Sequence, residues 1–138
     1  MSAILMPKPD QRVLDRRDAI IAGPAKLVPP AALITAEDER RAYETDALTA
    51  YRQLPLAVVL PSTTEEVAAV LAFLNAEGVK VVARGAGTSL AGGALPAEDA
   101  VVLGVSKMNR VLEVDTANRT IRVEAGVTNL GVTAAVQH

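Results

Sequence analysis

The chain has no cysteine and no tryptophan, and only one phenylalanine and two tyrosines. Without thiols it cannot form disulfides, use thiol catalysis or ligate an iron–sulfur cluster through cysteine, and the composition fits a reducing compartment. With so few aromatics the core has to be built from Val, Leu, Ile and Ala. Such a core suits a sheet closely covered by helices, and it leaves few rings to stack on bases. The single histidine, His138, is the last residue. One histidine cannot make a metal site, and the carboxylates lack ligand spacing, so no metal is assigned.

A charge bias is also missing. The formal net charge is −2, and the 14 basic residues are scattered rather than clustered. Nucleic-acid partners require a positive footprint, so none is expected. The opening MSAILMPKPDQRVLDRRDAI lacks the apolar core of a signal peptide, and no run approaches the ~18 apolar residues of a membrane span. The expectation is a cytoplasmic protein with no transmembrane segment, with attachment at the inner membrane through a partner left open. The chain is 50% hydrophobic and 22% charged, enough apolar material for one domain and unlike a disordered tail.

What is present falls into two parts. Residues 1–50 read as a helical preamble, with Asp10 to Ile21 carrying Val13, Leu14, Ile20 and Ile21 among charges. Gly23-Pro24 and Pro29-Pro30 then break the chain. The run Glu37-Asp38-Glu39-Arg40-Arg41 is most simply the solvated start of a helix. From residue 51 to 138 the pattern is that of a mixed α+β domain. Leu56 to Leu60 is wholly apolar, as in a strand buried on both faces, and Pro61 ends it. Ser62 with Glu65 and Thr63 with Glu66 form overlapping capping boxes before a helix whose apolar face is Val67, Val70, Leu71, Phe73 and Leu74. Gly78 terminates that helix, and Val79 to Ala83 reads as a second buried strand. This strand–helix–strand unit calls for a right-handed crossover. Ala100 to Val105 reads as a third strand, and Val111–Asp115 with Thr120–Glu124 as an antiparallel hairpin with one covered face and one wet face. A helix starting at Thr128 or Asn129 follows, carrying Leu130, Val132 and Val136 with nothing obvious to pack against, so the sequence reads as interrupted.

Directly after the second strand comes Arg84 to Ala94, RGAGTSLAGGA. Glycines at 85, 87, 92 and 93 permit positive φ and close approach of a ligand to the backbone. Consecutive amides in such turns converge into an anion-binding concavity. Thr88 and Ser89 add hydroxyls, and Arg84 adds positive charge at the entrance. The combination suits a pyrophosphate. It is no Rossmann fingerprint, because no helix can start cleanly at Leu90–Pro96, and no P-loop, because it has no lysine.

At these residues the sequence resembles the FAD-binding family of vanillyl-alcohol oxidase and p-cresol methylhydroxylase. The stretch carrying the likeness is LAVVLPSTTEEVAAVLAFLNAEGVKVVARGAGTSLAGGALP followed by VLGVSKMNRVLEVDTANRTIRVEAGV. The upstream YETDALTAYRQLPLAVVLP is most similar to the FAD-linked subunits of bacterial glycolate oxidases. The resemblance implies the N-terminal half of a PCMH-type FAD-binding domain. It implies a FAD pyrophosphate on Arg84, Gly85, Ala86, Gly87, Thr88 and Ser89, with further contacts at Gly92, Gly93 and Ala94. Pro61 would lie near the adenine side, first as a structural turn. Tyr43, Asp46, Tyr51 and Arg52 match the family pattern, and their simplest role is a packed, hydrogen-bonded lead-in.

The implied activity is oxidation of a small 2-hydroxy acid, glycolate or D-lactate, with hydride passing to flavin and electrons onward to an iron–sulfur partner subunit. Family members continue for several hundred residues, so the substrate-handling residues are expected outside this chain and no catalytic residue is assigned within it. Two alternatives stay open: a non-catalytic binding or assembly module, and a flavoenzyme for a different alcohol.

Overall fold

The computed structural model describes residues 6–137, so His138 and the first five residues of the N-terminal reading lie outside the described part. The N-terminal segment forms two short helices, α1 (Gln11–Asp15) and α2 (Arg17–Ala22), rather than one. Asp10 caps α1 through its side chain, and the chain breaks step at Arg16, with φ −99° and ψ 11°. Single turns of 3-10 helix at Pro24–Lys26 and Pro30–Ala32 follow the two proline breaks. A two-residue strand, β1 (Leu33–Ile34), comes next, then α3 (Glu37–Arg40) at the acidic run.

The centre of the molecule is a four-stranded sheet. Its other strands are β2 (Ala57–Val59), β3 (Lys80–Arg84) and β4 (Ala100–Gly104), and the spatial order is β1-β2-β4-β3. β2 and β3 both run parallel to β4, while β1 is antiparallel to β2. Every residue of β2 and β4 is buried. That is why these strands are Val, Leu and Ala up to Gly104: each Val or Leu side chain withdrawn from water there stabilises the sheet by about 1.5–3 kcal/mol. β3, in contrast, is an edge strand and only half covered, with Lys80 and Ala83 exposed. Its apolar run is real, but an apolar run does not tell an edge from a centre.

Helix α4 (Thr64–Ala76) connects β2 to β3 and packs Val70 and Leu74 onto the sheet. Thr63 is its cap, accepting from the Glu66 N–H at 3.1 Å, and the Glu66 carboxylate reaches back to the Ser62 N–H at 2.7 Å. Of the two capping boxes, the chain thus uses the second, shifted by one residue on its return bond. Gly78, with φ +68°, ends the helical run. One face of the sheet shares its core with Val13, Ile20, Val28 and Ala32, so the preamble packs on the same apolar cluster as Val59, Val70 and Leu103.

After β4 the chain forms a separate antiparallel pair, β5 (Val111–Asp115) and β6 (Thr120–Val123), with an irregularity between Val111 and Glu113. Helix α5 (Asn129–Ala135) follows, capped by Thr128 accepting from the Gly131 N–H. The hairpin is where expected, but its apolar face is not well covered: Val111, Leu112 and Val114 are 40%, 47% and 41% exposed. The extra residue at Leu112 interrupts the two-residue alternation that would have kept one face in.

Candidate functional site

The glycine-rich loop leaves the sheet at the carboxyl end of β3. Arg84 stands opposite Gly104 of β4, and the Val105 N–H donates to the Arg84 carbonyl at 3.0 Å, which fixes the point of departure. This is the end at which open parallel sheets present ligand-binding loops. The segment from Gly85 to Asp99 contains no helix or strand.

Two of its glycines, Gly87 (φ +72°) and Gly92 (φ +77°), adopt the left-handed conformation that glycine alone takes without strain. A Cβ at Gly85 or Gly92 would point into open space, so the backbone there is free to be approached. Among the described residues, no intramolecular hydrogen bond engages the amide N–H groups of Ala86, Gly87, Thr88, Ser89 or Leu90. Five successive unspent donors on a glycine-rich turn are the chemical counterpart of an oxyanion-rich group such as pyrophosphate. Thr88 is exposed. The Ser89 hydroxyl oxygen accepts from the Ala91 and Gly93 N–H groups at 3.3 and 3.1 Å, which folds the return limb back and leaves its proton to donate.

Arg84 is engaged elsewhere in the loop. Its Nη1 donates to the Thr45 carbonyl at 2.7 Å and to the Ala94 carbonyl at 3.3 Å, and its guanidinium carbon lies 5.5 Å from the centre of the Tyr43 ring. Ala94 is buried at the end of the return limb. Gly92 and Gly93 form the bend between Ser89 and Ala94.

A cleft of about 300 Å³ opens beside the loop, lined by Gly85 and Ala86 together with Ser106, Asn109, Gly126, Val127, Thr128 and Gly131. None of these side chains is charged, so an anion there would be held by amide and hydroxyl dipoles. Sequence reasoning took in only the first two. The others come from the turn after β4, the turn before α5 and the first turn of α5, which the chain brings together at Gly126. The Gly126 N–H donates to the Met108 carbonyl at 2.8 Å, and a Cβ at Gly126 would overlap the backbone oxygens of Val105 and Met108. A glycine ending an alternating strand was the available signal, and it reads equally well as a simple terminator. Among the described residues, no cluster of three or more His, Cys, Asp or Glu is arranged to hold a metal, and no helix is long and apolar enough to cross a membrane.

A mixed sheet with an amide-rich glycine loop at the carboxyl end of its parallel strands, followed by a hairpin and a second turn facing the same cleft, is the architecture shared with the PCMH-type FAD-binding domains. The chain belongs to the FAD binding domain family, whose model matches residues 55–138. It is 41% identical over 120 residues to the glycolate oxidase subunit GlcD of Escherichia coli, an alignment covering 87% of this chain and 24% of that protein. It is 47% identical over 92 residues to the D-lactate dehydrogenase of Archaeoglobus fulgidus, covering 66% of this chain and 20% of that one. Among solved structures, p-cresol methylhydroxylase with substrate bound matches with a TM-score of 0.73 at 19% identity, over 98% of this chain and 26% of that chain. The chain thus spans about a quarter of the length of the curated relatives it matches. It is homologous to flavin-dependent 2-hydroxy-acid oxidoreductases, and the cofactor of the family is FAD.

Proposed function

We propose that the protein oxidises a small 2-hydroxy acid, glycolate or D-lactate, to the 2-oxo acid, and that this chain supplies the part of the flavin site that holds the pyrophosphate. The observation that carries the proposal is the run of unspent amides from Ala86 to Leu90 on a loop with two left-handed glycines. Bound FAD supplies the two-electron acceptor for such an oxidation. The chain's own part is to bind and orient it. Gly85 allows close backbone approach, Ala86 presents its amide, Gly87 makes the left-handed turn that leaves room for the Arg84 guanidinium, Thr88 and Ser89 donate hydroxyl protons, and Gly92, Gly93 and Ala94 shape the return limb. Arg84 belongs to the same site through the loop it carries. In the same proposal, residues 51–138 are the flavin-binding portion and 1–50 a lead-in packed upon it. An iron–sulfur partner subunit that takes the electrons onward, and a cytoplasmic location at the periphery of the inner membrane through that partner, complete the reading. The names of the glycolate-oxidising and lactate-oxidising relatives support the substrate class.

The test is made on the protein of the complete reading frame. Flavin absorbance should be present and should bleach on anaerobic addition of glycolate or D-lactate. Protein that never acquires flavin contradicts the proposal, and flavin that is indifferent to both acids moves the substrate elsewhere. Replacing Gly87 by Val should abolish flavin binding, and Thr88→Ala should weaken it by roughly 1–3 kcal/mol, the range for losing a hydrogen bond to a charged group.

A further inference from the structure

We infer that Arg84 is a positioning residue that pins the glycine-rich loop to the segment Tyr43–Gln53, so that residues upstream of the matched flavin domain preorganise the cofactor cradle. The inference rests on the flavin reading only for what the cradle holds. Three observations converge on it. The Arg84 guanidinium bridges two carbonyls far apart in sequence, Thr45 at 2.7 Å and Ala94 at 3.3 Å. It passes so close to Gly87 that a Cβ there would overlap it, which places it inside the loop's concave turn rather than in solvent. It also lies over the half-buried Tyr43 ring at 5.5 Å, a cation–π distance.

The far anchor is itself rigidly closed. The Gln53 N–H donates to the Glu44 carbonyl at 2.8 Å, the Thr45 hydroxyl to the Tyr51 carbonyl at 3.0 Å, and Arg52 pairs with Glu44 at 3.1 Å. Asp46 sits buried inside this ring, accepting from the Leu48 N–H at 2.9 Å. The Thr45 carbonyl thus belongs to a segment closed by its own hydrogen bonds. Arginine suits the task because Nη1 alone donates to both carbonyls while the planar guanidinium lies over the Tyr43 ring. A loop of glycines is otherwise the most costly segment to order, and pinning both limbs before ligand arrives lowers the ordering cost that binding would bear.

Hydrogen exchange of the whole chain without flavin tests this, using Arg84→Ala, Arg84→Lys and Tyr43→Leu. Exchange at the hydrogen-bonded loop amides of Ala91, Gly93 and Leu95 should quicken by about tenfold or more in Arg84→Ala, the factor for losing a charge-assisted hydrogen bond, with β2 and β4 unchanged. Arg84→Lys, which keeps the charge but has a different reach and no guanidinium plane over Tyr43, should fall between. Unchanged loop exchange in Arg84→Ala overturns the inference, and if flavin affinity still drops there, Arg84 is a phosphate ligand instead. Should Arg84→Ala also loosen β4, Tyr43→Leu decides: faster exchange confined to Ala91, Gly93 and Leu95 supports the pin, and unchanged exchange there overturns it. FAD titration of the same proteins keeps the two ideas apart, since absence of flavin binding in the parent leaves the exchange result standing and removes only the flavin reading.

Discussion

The sheet and the hairpin are built from similar residues and held in different ways. In β2 and β4, Val58, Val59, Val101 and Val102 are at most 1% exposed, and the strands are enclosed by α4 on one face and by Ile34, Tyr43 and Val82 on the other. In β5, by contrast, Val111, Leu112 and Val114 stand 40–47% exposed. The hairpin is fastened by local polar links instead. Arg110 pairs with Glu124 at 2.7 Å, Glu113 with Arg122 at 3.3 Å, and Asp115 accepts from Asn118 in the turn. Solvent-exposed pairs of this kind are worth about 0–1 kcal/mol each. Burial thus sets the stability of the region that launches the glycine loop, whereas the hairpin rests on links that contribute little one by one.

Substitutions can break or sharpen that contrast. Leu74→Ala, in the buried face of α4, should cost about 2–5 kcal/mol in denaturant unfolding, the range for cavity formation in a core. Gly126→Ala lies at the junction of the two regions and would press on the backbone oxygens of Val105 and Met108; a loss of about 1–3 kcal/mol, with a displaced α5, is expected from such overpacking. A cost near zero there would mean that the hairpin is not tied to the sheet at all. Thr63→Ala removes the α4 cap and should cost about 1 kcal/mol. Leu112→Ala and Val114→Ala in the hairpin should fall within about 0.5 kcal/mol of the parent. A hairpin substitution as costly as Leu74→Ala would erase the distinction.

The sheet also carries a pH-dependent fastening that the hairpin lacks in buried form. Asp99, 1% exposed, accepts from the Lys80 ammonium at 2.6 Å and from the Asp10 N–H at 2.8 Å. Burial pushes its carboxyl up, but the Lys80 and Asp10 hydrogen bonds outweigh this and hold it below the ordinary value of 3.8. The folded form therefore favours the carboxylate. Its contribution is complete above that ordinary value and disappears as pH falls through the lower folded one. Acid unfolding followed by circular dichroism should show this, and Asp99→Asn should flatten the acid limb. An unchanged limb in the variant would place the titration elsewhere.

Much of this was legible in the sequence, for identifiable reasons. Unbroken apolar runs marked β2 and β4, and alternation marked β5 and β6. Thr63 and Gly78 bounded α4 because capping and left-handed termination are local chemistry. The two-residue β1 was not legible, since Leu33–Ile34 sits among prolines and owes its conformation to pairing with Val58 and Val59. The edge position of β3 was not legible either, because β4 enters between β2 and β3 from later in the chain. At the site, glycine density marked the loop. The partners of Arg84 at residues 45 and 94, and the cleft wall at 106–109 and 126–131, depend on tertiary contact and left no local pattern beyond the glycine at 126 that ends an alternating strand.

The most direct test of the central claim is a titration of this chain with FAD, followed by amide resonances. The account predicts that the Ala86–Leu90 amides, with Gly93 and Ala94, shift first and furthest, even if saturation needs millimolar ligand. Shifts confined to the hairpin or α5, or none at all at millimolar FAD, would contradict it.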